Sequence, residues 1–279
     1  MHLFTASLNS GSNGNCYYVG NDHEAVLIDA GISCKEVEKR MERLGLTMGK
    51  VKAIFVSHEH SDHIFGIPVL AKKYRIPVYI TSETLRQSRL RIDNDLTVQF
   101  TACDPVIIGG LTVHAFPKCH DACDPHSFIV TGNSVMVGIF TDIGNACEQV
   151  TYHFKLCHAA FLEANYDDQM LSSGNYPAHL KKRISGKYGH LSNAAAYELF
   201  QLHRPAYMSH LFLSHLSKNN NCPELVQQLF SQRAERTEVS VAPRFAETPL
   251  YKINNTGVPV FYHPLQIKPK AKSLQLSMF

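Results

Sequence analysis

Ser57-His58-Glu59-His60-Ser61-Asp62-His63 is the stretch on which the reading of this chain turns. Three imidazoles and two carboxylates fall between residues 58 and 63. Groups of this kind are costly to bury unpaired, so the run is either a solvated loop or a binding site. Its setting favours the site. Val51-Lys-Ala-Ile-Phe-Val-Ser57 reads as a buried strand before it, and residues 66–74 read as a helix after it. The carboxyl ends of strands are where α/β folds place their chemistry.

Short β-rich runs and helical stretches alternate on both sides of this loop, as in a layered α/β domain. Upstream, Glu24–Asp29 forms a strand that ends at Asp29, and Ser33 with Glu36 makes a capping box for a helix to about Leu44. Downstream, 105–116, 126–131 and 134–141 read as strands of a second sheet, turned at Gly109-Gly110 and Gly132-Asn133. A helical region covers about 145–202, with an apolar strand inside it that ends at Glu163. Strands near 206–213, 237–242, 249–253 and 258–262 close the domain, which spans 1–263. From Pro264 to Phe279 the chain reads as an exposed basic tail.

The bulk composition excludes several classes. In 279 residues, 27 basic against 24 acidic side chains leave a formal charge of only +3, so any polyanion site must come from local clustering. The eight cysteines contain no Cys-x-x-Cys pair, which argues against a zinc ribbon and for reduced thiols in a cytoplasmic protein. No apolar run is long enough to span a bilayer, and no leader peptide is legible. The 16 histidines are the oddity, since imidazole is the commonest metal ligand.

The His-x-His-x-Asp-His pattern resembles the signature of the metallo-β-lactamase superfamily. That resemblance implies an α/β fold, the four-layer αβ/βα sandwich, and two divalent metal ions (zinc, manganese or iron). It gives His58 and His60 to one ion, and Asp62 and His63 to the other. It extends along the chain to Asp29 as a residue that orients the loop, to His120 as a third ligand of the first ion, and to Asp142 as the carboxylate bridging both ions. His215 becomes the last ligand of the second ion. His210 competes with it, but the odd offset between the two puts them on opposite faces of one strand. A separate site built from His114, Cys119, Cys123 and His126 fits no common zinc spacing, and His126 is expected to pack or to hydrogen-bond behind the ligands.

Two ions suit attack on a phosphodiester, and the leaving alkoxide then needs a proton. Glu163, with His190 in Gly189-His-Leu-Ser192, resembles the Glu–His dyad of ribonuclease Z-like phosphodiesterases. A carboxylate beside a histidine fixes its tautomer and favours its charged form. Asp62, Glu163 and His190 are therefore the catalytic candidates; the rival for His190 is a structural role before the helix that Ser192 caps. The opening Ser10-Gly-Ser12-Asn13-Gly-Asn15 either cradles a phosphate or braces the metal loop. Lys181, Lys182, Arg183 and Lys187 form a basic stretch that either holds phosphates or is a solvated helix face.

The opening loop, Leu27-Ile-Asp-Ala-Gly31, Cys119-His-Asp-Ala122, Phe140-Thr-Asp-Ile-Gly144, Leu162-Glu-Ala-Asn-Tyr166, Gly189-His-Leu-Ser-Asn193 and Ser214-His-Leu-Ser-Lys218 stand in the order of the YycJ/WalJ subfamily. The resemblance covers residues 3 to about 253 and implies a bacterial exonuclease acting on DNA from 5′ ends and linked to mismatch repair, with RNA as an alternative polymer. Pro125-His126-Ser127 departs from the subfamily, where an apolar residue and Gly are usual. The last residues, Gln275-Leu276-Ser277-Met278-Phe279, resemble the peptide by which bacterial repair proteins dock on the sliding clamp. Rival readings are a small-molecule metallo-hydrolase (of a cyclic phosphodiester, lactone or thioester) and a metal-stabilised scaffold without activity.

Overall fold

A computed structural model describes residues 2–255. Two seven-stranded sheets face each other. The first takes β1 (His2–Asn9), β2 (Cys16–Gly20), β3 (Ala25–Ile28), β4 (Val51–Phe55), β5 (Val78–Ile80) and β6 (Thr97–Gln99), and β14 (Tyr251–Asn254) pairs on the outside of β1. The second runs in the order β13 (Glu238–Val241), β12 (His210–Ser214), β11 (Ala159–Glu163), β10 (Val135–Phe140), β9 (His126–Gly132), β8 (Leu111–Pro117) and β7 (Val106–Ile108). Each sheet is mixed: β3 to β6 and β10 to β13 are parallel runs, and the strands beside them pair antiparallel.

Alternation within the strands explains the layering. Ala53 and Phe55 of β4, Val137 and Ile139 of β10, and Phe161 of β11 meet between the sheets in one core. Their neighbours point outward: Ile54 packs under α1 (Cys34–Arg43) and α3 (Ile67–Tyr74), while Met136, Phe140 and Leu162 pack under α5 (Glu148–Phe154), α8 (Asn193–His203) and α9 (Pro223–Ser231). Strands covered on both faces must be apolar at every position, which is why β10 reads Val-Met-Val-Gly-Ile-Phe. Three apolar layers between four structural layers make the αβ/βα sandwich the sequence predicts.

Several local expectations hold. Ser33 caps α1, its Oγ accepting from the Glu36 N–H at 3.3 Å. The His loop carries a further short helix, α2 (Ser61–Ile64), and α4 (Ser82–Ser88) follows β5. One expectation needs correction. The β9–β10 turn centres on Asn133 and Ser134, both left-handed at φ 53° and 59°, one residue beyond the Gly132-Asn133 pair; two left-handed residues define the turn that matches strand twist. The apolar strand expected inside the 145–202 region is β11, with α5 before it and α6 (Asp168–Ser173), α7 (Ala178–Ile184) and α8 after it. The strand expected at 258–262, the end of the 1–263 domain and the 264–279 tail lie outside the described residues.

Candidate metal centre

Strand direction brings the site together. β1, β3, β4, β8, β10, β11 and β12 all end at the same edge of the sandwich, where His126 N–H also bonds the Ser57 carbonyl across the two sheets at 2.9 Å. Asp29 follows β3, Asp142 follows β10 and His215 follows β12, and all three are left-handed, at φ 60°, 51° and 55°. That conformation costs an L residue on the order of 1–2 kcal/mol and persists where the surroundings over-determine it. Gly31 fills a different need: a Cβ there would lie 1.6 Å from the Asp62 carbonyl oxygen. The His loop therefore crosses directly over the Leu-Ile-Asp-Ala-Gly turn.

The sequence-predicted ligands converge into two sets. His58 Nε2 lies 3.1 Å from His60 Nδ1, and His120 Nε2 lies 3.4 Å from the same atom. In the second set Asp62 Oδ2 lies 3.6 Å from His63 Nε2 and 3.8 Å from His215 Nε2. Asp142 stands between them, with Oδ2 3.0 Å from His63 Nε2 and Oδ1 3.9 Å from His120 Nε2. Ligands about 2.1 Å from a tetrahedral ion are spaced roughly 3.4 Å apart, so both sets have the spacing an ion needs. His215 Nε2 and Asp142 Oδ2 are buried and lack a hydrogen-bond partner, an arrangement that a cation between them would relieve. The residues present fit two divalent ions.

Four of the five imidazoles are held through the nitrogen the ion would not use, so their tautomers are set from behind. His63 Nδ1 meets Asp29 Oδ2 at 2.7 Å, and the Ser57 hydroxyl donates to the same oxygen at 2.7 Å while meeting His58 Nδ1 at 2.8 Å. Asp29 thus orients one ligand directly and a second through Ser57. His120 Nδ1 bonds the Gly189 carbonyl at 3.0 Å, and His215 Nδ1 bonds Glu163 Oε1 at 2.8 Å.

The two sets differ electrostatically. Burial holds His58 well below the usual imidazole range and His120 at about 4, so these ligands are neutral. Burial also opposes charge on His63 and His215, but Asp142 and its neighbouring carboxylates outweigh it and raise both, His215 to about 10. Burial works against the charged form of Asp62 too, yet His63 and His215 bring that carboxyl down to about 2. The second set is a cluster of buried internal ion pairs, whose protons an ion would displace.

Glu163 is fully buried, and its Oε1 also accepts from His190 Nδ1 at 2.8 Å. Its Oε2 takes the N–H groups of Ile143 at 2.7 Å and Leu191 at 3.2 Å. One carboxylate therefore fixes His190, His215 and the two turns beside them. The His190 side chain is 20% exposed, its Nε2 not engaged by the carboxylate. Ser192 caps α8 through Ala195 N–H, immediately after it.

The remaining candidates separate. Ser10 is buried and its hydroxyl is taken by His215 N–H at 2.7 Å and by Tyr17, so it braces the ligand turn and is not free to hold a phosphate. Ser12 and Asn13 are exposed but bind Arg244. Arg183 pairs with Asp121 at 2.6 Å, next to His120, and Lys181 bonds the Ser172 carbonyl; Lys182 and Lys187 are exposed. His210 lies at the opposite end of β12, beside Glu238. His126 is buried against Phe100 and bonds the Asp124 carbonyl, with no part in either donor set. Gln275, Leu276, Met278 and Phe279 lie outside the described residues.

Three contributors escaped the sequence reading. Asn15 Nδ2 lies 3.0 Å from His63 Nε2 and 3.3 Å from Asp62 Oδ2. Asn165 donates to the His215 carbonyl at 2.7 Å. Lys118 is buried beneath the site and donates to the Thr141 carbonyl at 2.7 Å, anchoring the turn that carries Asp142. Asn15 lies in the opening small-residue loop and Asn165 in Leu162–Tyr166, whereas a lysine after a strand has no signal of its own.

Residues 10–117 match the sequence pattern of the metallo-beta-lactamase superfamily. Exodeoxyribonuclease YycJ of Bacillus anthracis is 36% identical over 248 residues, which is 88% of this chain and 94% of that protein. Exodeoxyribonuclease WalJ of Streptococcus pneumoniae is 29% identical over 243 residues, 85% of this chain and 90% of its own length. The metallo-beta-lactamase fold protein YhfI from Bacillus subtilis superposes with a TM-score of 0.68 at 17% identity, over 88% of this chain and 99% of that one.

Proposed function

The chain belongs to the metallo-β-lactamase superfamily, among the relatives of the YycJ and WalJ exodeoxyribonucleases, and from that premise we propose that this metal-dependent hydrolase is a two-metal nuclease that removes nucleotides from DNA ends. The observation that carries the reading is the Glu163–His190 pair set against the two donor sets at one edge of the sandwich. A carboxylate-held histidine beside such a centre is suited to protonating an alkoxide leaving group, which hydrolysis of a phosphodiester requires.

His58, His60 and His120 would hold one ion, Asp62, His63 and His215 the other, and Asp142 both. Ions held there supply Lewis-acid stabilisation of the anionic transition state and activate water near neutral pH. The chain's own residues do the rest. Glu163 presents His190 with Nδ1 engaged, so Nε2 is the atom that delivers the proton. Asp29 and Ser57 keep the imidazoles from rotating. The strand is drawn to the site by exposed Lys182 and Lys187, with Lys181 and Arg183 shaping that border.

Finer features belong to the same proposal. Digestion runs from 5′ ends, in the service of DNA repair, in the cytoplasm of a bacterium. The final Gln275, Leu276, Met278 and Phe279 dock on the sliding clamp: the amide offers hydrogen bonds, and the three apolar side chains fill pockets. Such a tether would raise the effective concentration of the nuclease near DNA. The described residues contain no helix long and apolar enough to cross a membrane.

The test is purified protein with Mn²⁺ or Zn²⁺ against 5′- and 3′-labelled DNA, the matching RNA and a small chromogenic phosphodiester. Early release of a labelled mononucleotide from the 5′-labelled strand is the expected result. Turnover of the chromogenic ester alone would replace this reading with that of a small-molecule hydrolase. A peptide of the last ten or so residues should bind the clamp, and Ala at Leu276 and Phe279 should abolish binding; no association at high micromolar concentration removes the docking proposal alone.

A further inference from the structure

The opening loop uses its small residues to clasp an arginine. Arg244 lies in the segment joining β13 to β14. Its Nη2 donates to Ser12 Oγ at 2.5 Å, its Nη1 to the Leu216 carbonyl at 2.9 Å, and its own carbonyl accepts from Asn13 Nδ2 at 2.8 Å. Gly11, left-handed at φ 137°, leaves the room: a Cβ there would lie 2.3 Å from Arg244 Nη1. Three successive residues of the loop are thus shaped around one guanidinium.

That guanidinium is half-buried and, among the described residues, forms no ion pair with a carboxylate. Its Nε is buried without a hydrogen-bond partner. Burial works against its charge, while Tyr176 and, after it, the candidate ligand Asp62 favour it. A fixed cation held without a counter-charge beside a metal centre marks a place for an anion. Arg244 also lines a cavity of about 500 Å³ whose other walls include Leu216, Val241, Pro243 and Phe245, with Lys218 at the rim. Leu216 directly follows His215, and Ser10, bonded to His215 N–H, closes one side. Phe245 is 68% exposed, yet its carbonyl is held by Arg40 Nη2 at 3.2 Å, so an open aromatic face is presented on an anchored backbone. Aromatic faces of this kind stack nucleobases regardless of sequence.

We propose that this cavity is the subsite for the nucleotide adjoining the scissile phosphodiester, with Arg244 binding its flanking phosphate and the apolar walls and Phe245 receiving its base. The proposal rests on the nuclease reading and deepens it. It assigns the specificity for a polynucleotide over a simple diester to the segment after β13.

The experiment measures binding of a 3′-fluorescein-labelled ten-nucleotide DNA strand by anisotropy in EDTA, where no cleavage occurs. Metal-loaded kinetics follow on the same strand and on bis(p-nitrophenyl) phosphate. Arg244→Gln should weaken binding by roughly ten-fold or more and flatten the salt slope by about one phosphate contact. Arg244→Lys, which keeps the charge, should retain part of the binding. Phe245→Ala, an exposed ring whose loss leaves the core intact, should weaken binding about five-fold or more. In kinetics the Arg244→Gln loss should fall on KM for DNA and exceed the loss on the chromogenic diester by about ten-fold. Variants that bind DNA as the wild type does, with an unchanged salt slope, overturn the subsite. Equal losses on both substrates also overturn it, because Arg244 then only braces the loop. A wild-type protein that hydrolyses the diester but neither binds nor cleaves the strand overturns the nuclease reading and the subsite together; one that cleaves DNA while its variants are undisturbed overturns the subsite alone.

Discussion

In the first sheet, four candidate donors leave the end of β4 on a single turn. His58, His60, Asp62 and His63 move as a unit, and one residue of the neighbouring strand, Asp29, fixes that turn through His63 and Ser57. In the second sheet the donors come singly: His120 after β8, Asp142 after β10 and His215 after β12. Nothing local relates these three. They meet because parallel register aligns the strand ends, Glu163 of β11 pairing with Ser214 of β12, and because Glu163 ties the turns together. Half of the centre is a local motif, therefore, and half is a product of topology. The two halves should fail differently.

The largest effect is expected at the residue that joins them. Asp142→Ala should bring activity to background and lower metal content for both ions, read by elemental analysis of the dialysed protein. Retention of both ions would mean that neither depends on a shared carboxylate, and the bridging assignment would fall.

His190→Ala comes next, with cleavage slowed by about 10²–10⁴-fold and metal content intact. The loss should shrink on p-nitrophenyl esters, whose leaving group needs no proton. Equal losses on both substrates would give His190 a structural role.

Asp29→Ala and Glu163→Ala make the comparison sharpest, since each removes the carboxylate behind one half. Both should reduce metal affinity by about 10–100-fold, measured by competition with a chromogenic chelator. Glu163→Ala alone should also make the rate depend more steeply on the leaving group, with a smaller loss on p-nitrophenyl esters than on DNA, because it releases His190. If the two variants behave alike in that respect, the dyad is not the acid.

The smallest effects are expected at the helix caps. Ser33→Ala under the first sheet and Ser192→Ala under the second should each cost about 1 kcal/mol in denaturant unfolding. Turnover should fall only for Ser192→Ala, whose cap adjoins His190. A matching fall for Ser33→Ala would show that the first half is no stiffer a support than the second.

The same division governs what the sequence discloses. The His loop, Asp29 and the capped α1 announce themselves, since each is a short-range pattern with a local cause. His120, Asp142 and His215 are single residues on separate segments, assignable through resemblance in chain order but not through spacing. Arg244 and Lys118 carry no signal, because their roles come from segments far away in the chain: Ser12 and Asn13 for one, Thr141 for the other.

Asp29, Asp142 and His215 sit where glycine or asparagine would rest more easily. A search for heat resistance in this protein would meet a conflict there. Relaxing those three backbones would strengthen the empty scaffold while removing the side chains that give it work. Selection screens scored on melting temperature alone should therefore drift toward inert variants at these positions, and any thermostable nuclease recovered from this scaffold should owe its gains to changes elsewhere.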